Sequence, residues 1–271
     1  MSTDSGRPER APQHLAQRPP LGSLAPLVET PWAPWPVPEV IETTASTMLD
    51  VERRAAGGAP EGTVVIAEEQ TAGRGRRGRA WESSARAGLW WSLLLRPSVP
   101  ADHLGWLPLV VGIGVARGLR AAAGVGATLK WPNDVLVDGG KIAGILAERL
   151  GDGSVIVGVG INVAQSLEEL PEGGASLRTL GIPADRTEVM LRVLPAVAES
   201  YRAWIAGADP RAEYTALSAT LGQDVTADLG DRVLSGRASG LGPSGELVIV
   251  DHEGREQVLS AGDVTLRRPA P

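Results

Sequence analysis

The run Gly73-Arg74-Gly75-Arg76-Arg77-Gly78-Arg79 sets four guanidinium groups among three glycines, and Trp81 follows two positions later. Glycine reaches backbone conformations closed to other residues and lets the chain approach a ligand closely. Successive N–H groups in such a loop form an anion-binding concavity, and arginine adds planar, permanently charged donors for phosphate or carboxylate. A tryptophan offers a flat face on which a base can stack. The composition is that of a clamp for a small anion carrying a ring, and a nucleotide fits that description. Lysine occurs only as Lys130 and Lys141, so arginine supplies 24 of the 26 basic residues. Both lie in compact motifs, Lys130-Trp131-Pro132-Asn133-Asp134 and Lys141-Ile142-Ala143-Gly144-Ile145-Leu146-Ala147-Glu148. A compact ammonium on a flexible stem reaches a carbonyl or phosphoryl oxygen in a way a guanidinium fork does not. Two readings stand for each lysine: chemistry, or chance with a tight packing site.

Bulk composition removes several alternatives. The chain has no cysteine, which excludes disulfides, thiolate catalysis and zinc–thiolate sites. His14, His103 and His252 are far apart and lack metal-ligand spacing. There is no apolar run near the ~20 residues that span a bilayer, and no secretory h-region at the start. The net charge of −6 argues against the broad basic footprint of a nucleic-acid binder. The expectation is a cytoplasmic protein with no DNA or membrane partner, whose basic cluster lines a pocket.

These motifs need a scaffold. Residues 1–38 carry nine prolines and little periodicity, which predicts a disordered or weakly docked tail, with Trp32 and Trp35 packing on the body. No helix-turn-helix pattern precedes the core. A short strand is expected over 39–43, then a helix capped by Ser46 or Thr47 that ends before Gly57-Gly58. Strands over 63–68 and 88–96 flank the Arg/Gly loop, and a long apolar helix covers 103–123. Several strands follow over 127–163, with a hairpin turn at Asp138-Gly139-Gly140. Helices over 187–207 and 211–217 complete a domain assigned to 39–217. Short strands near 224–228, 232–238, 246–251, 255–260 and 263–267 predict a small antiparallel barrel over 218–271.

Gly73-x-Gly75-x-x-Gly78 formally satisfies the dinucleotide-binding fingerprint, but the segment after it does not read as the required helix. Neither lysine follows the spacing of a phosphate-binding Walker loop. An Arg/Gly RNA-binding segment is usually longer and disordered, whereas this one follows a buried strand.

Read together, Thr44-Ala45-Ser46-Thr47, the stretch Glu69–Trp81, the two lysine motifs and Gly158-Val159-Gly160-Ile161-Asn162-Val163 closely resemble the ordered motifs of biotin protein ligases. The resemblance runs from about residue 39 to the C-terminus, and GRGRRGR together with KWPND makes it specific. It implies an α/β fold with a mixed sheet related to class II aminoacyl-tRNA synthetases, followed by an SH3-like barrel. It implies activation of biotin by ATP and Mg²⁺ to biotinyl-5′-AMP, and transfer to a lysine of the carrier domain of an acetyl-CoA or related carboxylase. By the same resemblance Ser46, Thr47 and Gln70 contact the ureido ring, with Met48 beside them. Arg74, Gly75 and Arg76 line the biotin tail and cover the activated carbonyl, Arg79 meets phosphate and Trp81 packs at the adenine. Lys130 bridges carboxylate and α-phosphate as a catalytic residue with Arg76, Asn133 and Asn162 face the nucleotide, and Arg267 reaches the triphosphate. The metal ligands stay unassigned, and a homodimer stays open.

One departure is plain: the family commonly has Ser-Thr-Asn where this chain has Ser46-Thr47-Met48, so any polar contact there must come from the backbone or elsewhere. Bland readings stand beside several roles. Ser46 and Thr47 fit a helix cap, Trp131 the core, Pro132 a turn and Asn162 a backbone turn. Glu148 fits a strand, Arg77 a solvent-facing position, and Asp134 either a metal contact or a turn. Without a DNA-binding domain, the resemblance is to the monofunctional type. Two rivals are a lipoate or octanoyl ligase of the same fold, opposed by GRGRRGR, and a biotin-sensing or carrier-binding module without catalysis, opposed by Lys130 and the complete loop.

Overall fold

Runs of branched and large apolar residues set the middle of the molecule. Gly88–Leu95 is buried along its whole length, and Val155–Asn162 nearly so. Strands this apolar must be covered on both faces. They are the third and seventh strands of a mixed sheet built from β1 (Glu39–Thr44), β2 (Val64–Gln70), β3 (Gly88–Leu95), β4 (Thr128–Lys130), β5 (Asp134–Val137), β6 (Gly140–Arg149) and β7 (Val155–Asn162). The order is β1-β2-β3-β7-β6-β5-β4; β1 and β2 run parallel and every other pair is antiparallel. The computed structural model describes residues 18–230 and 232–266; what was expected of residues 1–17 and of Arg267 lies outside the described residues.

Alternation divides β2 between two cores. Val64 and Ile66 face the larger one, with α2 (Leu107–Ala123) and α3 (Arg186–Ile205), while Val65 faces a smaller one under α1 (Thr47–Ala56). Gly114 and Gly118 bring α2 against α3: a Cβ on either would lie 2.5 Å from the Cα of Val197 or Val193. The apolar stretch expected as one helix over 103–123 is split, with a 3-10 segment Ala101–Trp106 leading into α2. Pro108, which has no N–H to donate, fits at the start of α2. Asp138 and Gly139, both with positive φ (50° and 79°), close the two-residue hairpin between β5 and β6.

After α4 (Arg211–Leu217) come β8 (Asp224–Asp228), β9 (Val233–Leu241), β10 (Leu247–Val250), β11 (Glu256–Leu259) and β12 (Asp263–Leu266). They form a five-stranded antiparallel sheet ordered β11-β10-β9-β8-β12. Val225, Ala227, Ala238, Leu247 and Ile249 of this sheet join the larger core. Two indoles tie it down: Trp131 Nε1 donates to Gly245 O (3.0 Å) and Trp106 Nε1 to Pro243 O (2.8 Å).

Residues 18–38 pack Trp32 and Trp35 on the body as expected, and dock more fully than the disordered or weakly docked tail expected there. Leu24, Leu27, Trp32 and Trp35 are buried in the larger core. Trp35 packs 5.8 Å from Tyr201, and the Arg202 guanidinium lies 4.6 Å over its ring. Gly62 (φ 84°) makes room for it, since a Cβ there would be 2.1 Å from the indole. Proline density was the misleading cue. Prolines lower the entropy lost on docking, and four large apolar anchors supply the burial that disordered segments lack.

Candidate active site

A cavity of about 610 Å³ opens on the face of the sheet that carries α1. Its first end is neutral. The α1 N-terminus is capped from β2: Gln70 Oε1 accepts from Thr47 N (2.9 Å) and Thr47 Oγ1 (3.2 Å). Thr47 Oγ1 also meets Ser92 Oγ (2.8 Å), and Gln70 Nε2 donates to Ser83 Oγ (2.9 Å). Ser46 therefore stands at the N-cap while its hydroxyl caps nothing; Ser46 Oγ is buried without a partner. A buried unpaired hydroxyl is costly, and this one lines the cavity. Met48 belongs to the smaller core, and a Cβ on Gly158 would lie 2.9 Å from its sulfur.

The floor is glycine. Gly144 of β6 and Gly160 of β7 are cross-strand partners, and the Trp81 ring lies across both. A Cβ on Gly160 would stand 2.4 Å from Trp81 Cε2, and one on Gly144 2.6 Å from Cζ3. Glycines inside strands mark such close approach.

The other end is cationic. The Arg/Gly loop folds back on itself, with Gly75 N donating to Arg79 O (2.7 Å) and Trp81 N to Gly73 O (2.9 Å). Arg77 (φ 55°) and Gly78 (φ 71°) make the reversal, and no α-helix follows, so the dinucleotide fingerprint is only formal. Arg74 pairs with Glu148 of β6 (3.0 Å) and Lys141 with Asp134 (2.7 Å). Arg79 grips Asp263 of β12 with both oxygens (2.9 and 2.8 Å). Arg77 and Arg76 reach the same carboxylate at 3.6 and 3.9 Å. Arg76 Nη1 also donates to Asn133 Oδ1 (3.1 Å). Burial pushes the Arg76 pKa down and the nearby Asp263 and Asp134 push it back up, so the guanidinium stays charged at neutral pH. Among the described residues five cations line the cavity: Arg74, Arg76, Arg79, Lys130 and Lys141. Among the described residues Lys130, at the end of β4, is the one of these without a counter-ion.

The remaining expected positions resolve into braces. Asn133 Nδ2 donates to Ile145 O (2.9 Å). Asn162 Nδ2 donates to Ala175 O (3.0 Å) and Lys141 O (3.3 Å), and its Oδ1 accepts from Gln165 (2.9 Å). Its amide is thus engaged by the protein, as in the backbone reading, although the residue lines the cavity. Trp131 is core, and Pro132 lies in the turn before β5. Asp134 opens β5 as the partner of Lys141, and Arg77 turns to Asp263 rather than to solvent alone.

Sequence reasoning did not reach Ser92, Asp263 or the loop at 165–174, of which Gln165, Glu169 and Glu172 are among the cavity-lining residues. The signals available were a serine in an otherwise apolar strand and, for Asp263, the Gly262-Asp263 step opening a strand. That loop is held by the N-terminal arm. Arg18, itself buried, ion-pairs with Glu169 and donates to Ala164 O (3.0 Å). The Arg18 hydrogen bond is the main reason the Glu169 carboxyl is held down to about 2. A second anchor joins Glu68 of β2 to Leu21 N (2.5 Å) and Arg186 (2.6 Å), and Arg186 in turn to Pro19 O (2.7 Å).

A neutral polar recess, a flat floor and a cationic clamp, with one ammonium lacking a counter-ion among the described residues, suit a ligand that is neutral and polar at one end and anionic at the other. The biotin/lipoate A/B protein ligase family matches residues 37–165, and the biotin protein ligase C-terminal domain matches residues 220–267. The biotin–[acetyl-CoA-carboxylase] ligase of Mycobacterium tuberculosis is 42% identical over 239 residues, spanning 85% of this chain and 89% of the relative. Its counterpart from Paracoccus denitrificans is 37% identical, over 74% and 88% of the two chains. The biotin protein ligase of Aquifex aeolicus, solved in complex with biotin and ATP, superposes with a TM-score of 0.74 at 34% identity, covering 85% and 98%. The chain belongs to the biotin protein ligase family.

Proposed function

We propose that this cavity joins biotin to the AMP moiety of ATP and passes the biotinyl group to a lysine on the carrier domain of a carboxylase. A biotin carboxylate oxygen attacks the α-phosphorus and pyrophosphate leaves, giving biotinyl-5′-AMP. The neutral amine of the carrier lysine then attacks the acyl carbon, AMP leaves, and the amine loses a proton. The first step brings one anion against another, so charge must be neutralised where the two meet. Lys130 carries this reading: among the described residues it is the cavity cation without a counter-ion, on a stem able to touch carboxylate and phosphate together. Ser46 Oγ, Thr47 and Gln70 suit the neutral, hydrogen-bonding ureido ring. Arg74, Gly75 and Arg76 suit the tail and activated carbonyl, Arg79 the phosphates and Trp81 the adenine. The match of residues 220–267 to the biotin ligase C-terminal domain favours biotin over lipoate.

Mg²⁺ would arrive with ATP, held by phosphate oxygens and one or two carboxylates. Asp134 and Asp263 are the carboxylates lining the clamp end, and both are engaged by cations. Among the described residues no group of three or more His, Cys, Asp or Glu side chains is built to hold a metal, so no step is assigned to the ion. The proposed setting is the cytoplasm, with the carrier protein as partner and no DNA or membrane, in keeping with the net charge of −6. The test is pyrophosphate release from ATP with biotin or lipoate. Release with biotin alone is expected; a folded protein that releases none with biotin would remove the reading.

A further inference from the structure

We propose that Asp263 is a placeholder anion for the arginine clamp, a carboxylate of the C-terminal sheet that Arg76, Arg77 and Arg79 release in exchange for the phosphates of ATP. The inference rests on the proposed function and adds a positioning residue to it. Four observations support it. Three guanidiniums from four consecutive residues converge on one carboxylate, with Arg79 Nη2 shared between its two oxygens. Asp263 lines the same cavity as Lys130, so the exchange site and the reaction site are continuous. The carboxylate keeps about a third of its surface open (36%), so an incoming anion can reach the same guanidinium edges. The contact also joins two distant parts of the chain, β12 and the loop after β2; with Asp263 released, the loop keeps only the longer bonds from Arg76 to Gly262 O (3.4 Å) and from Arg77 to Asp228 O (3.5 Å), and its hold on the C-terminal sheet loosens.

Charge decides the direction of exchange. A part-exposed carboxylate against solvated arginines is a weak partner. Phosphate groups offer more charge and more acceptor oxygens to the same forks. Without an occupant, four neighbouring guanidiniums would repel one another and the loop would open. Asp263 holds three of them gathered, and Glu148 holds Arg74. The carboxylate therefore keeps the empty clamp ordered at a cost to nucleotide affinity, because ATP must displace it.

The test is Asp263→Asn, which keeps size and removes charge, with Asp263→Glu as the conservative control. Initial rates of biotin-dependent pyrophosphate release would be followed against ATP concentration. For Asp263→Asn, the KM for ATP is expected to fall about three- to tenfold, in line with the loss of a weak competing ion pair. Amide exchange across residues 73–82 should quicken in the nucleotide-free variant and match the parent once ATP and biotin are bound. Asp263→Glu should restore the parental KM. A KM for ATP that rises or stays put in a folded Asp263→Asn protein would overturn the placeholder role. A direct contact to the nucleotide or its metal would raise it, and a purely structural contact would leave it unmoved. If the parent itself releases no pyrophosphate with biotin, the proposed function fails, an outcome distinct from failure of this inference.

Discussion

The two ends of the cavity are prepared in opposite ways. At the neutral end, Thr47, Gln70, Ser83 and Ser92 already satisfy one another, leaving a single buried hydroxyl, Ser46 Oγ, unspoken for. At the cationic end, among the described residues, the arginines lining the cavity are already paired and Lys130 alone stands without a counter-ion. A neutral ring can be met by fixed donors and acceptors because an empty hydrogen-bonding recess is tolerable. A cluster of cations cannot be left empty, so the protein supplies its own anions. Recognition is prebuilt at one end and exchanged at the other.

The largest expected break in that contrast is Lys130→Arg. Charge is kept, but the forked head cannot act as a point between carboxylate and phosphate. Biotinyl-AMP formation should drop about 10²- to 10³-fold, the scale of losing one transition-state donor. A single-turnover assay with labelled ATP reads it, and near-parental rates in a folded variant would take Lys130 out of the chemistry.

A smaller effect at the neutral end separates ligand binding from stability. Replacing a helix-capping serine by alanine ordinarily costs about 1 kcal/mol. Ser46 caps nothing here, so Ser46→Ala should leave urea unfolding of the empty protein unchanged or slightly shifted to higher urea. The KM for biotin should nevertheless rise by about tenfold, as expected for one lost hydrogen bond in a buried site. Destabilisation with an unchanged KM would return Ser46 to the role of a cap.

The smallest effect concerns the brace behind the cavity-lining loop at 165–174. Glu169 has its pKa lowered from 4.5 to about 2 by Arg18. Because the folded value is depressed, that stabilisation is present above about pH 5 and fades as pH falls from about 4.5 towards 2. Arg18→Ala should therefore melt below the parent at pH 7, with the gap narrowing as the medium is acidified through that window. A gap that stays constant down to pH 3 would mean the pair contributes through packing alone.

Where local rules govern, sequence reading reached the fold closely. Asp138-Gly139 fixes its hairpin through positive φ, and residues 211–217 form the short helix expected of them. The Arg/Gly loop and KWPND were legible as chemistry because clustered charge and glycine have few other uses. What escaped was non-local. The arm at 18–38 looks disordered by composition and is held by residues far along the chain, among them Tyr201 and Arg202. Asp263 sits in an ordinary strand sequence, and nothing local points it towards arginines some 185 positions earlier. Asn162 lines the cavity while its amide is engaged by the neighbouring backbone and Gln165, so the nucleotide and backbone readings of it both stand.

The indole of Trp131 gives the boundary near residue 220 a different meaning. It is buried in the shared core, it donates to Gly245, and its backbone N–H donates to Thr220 Oγ1 (2.9 Å). The residue beside it in sequence is Lys130. Peeling the C-terminal sheet away would strip partners from the turn that follows Lys130, and would wet a core that both parts share. The two stretches that match separate family descriptions should then lose structure in one cooperative transition, with activity disappearing at the same temperature. Inheritance counts two modules here; thermodynamics counts one.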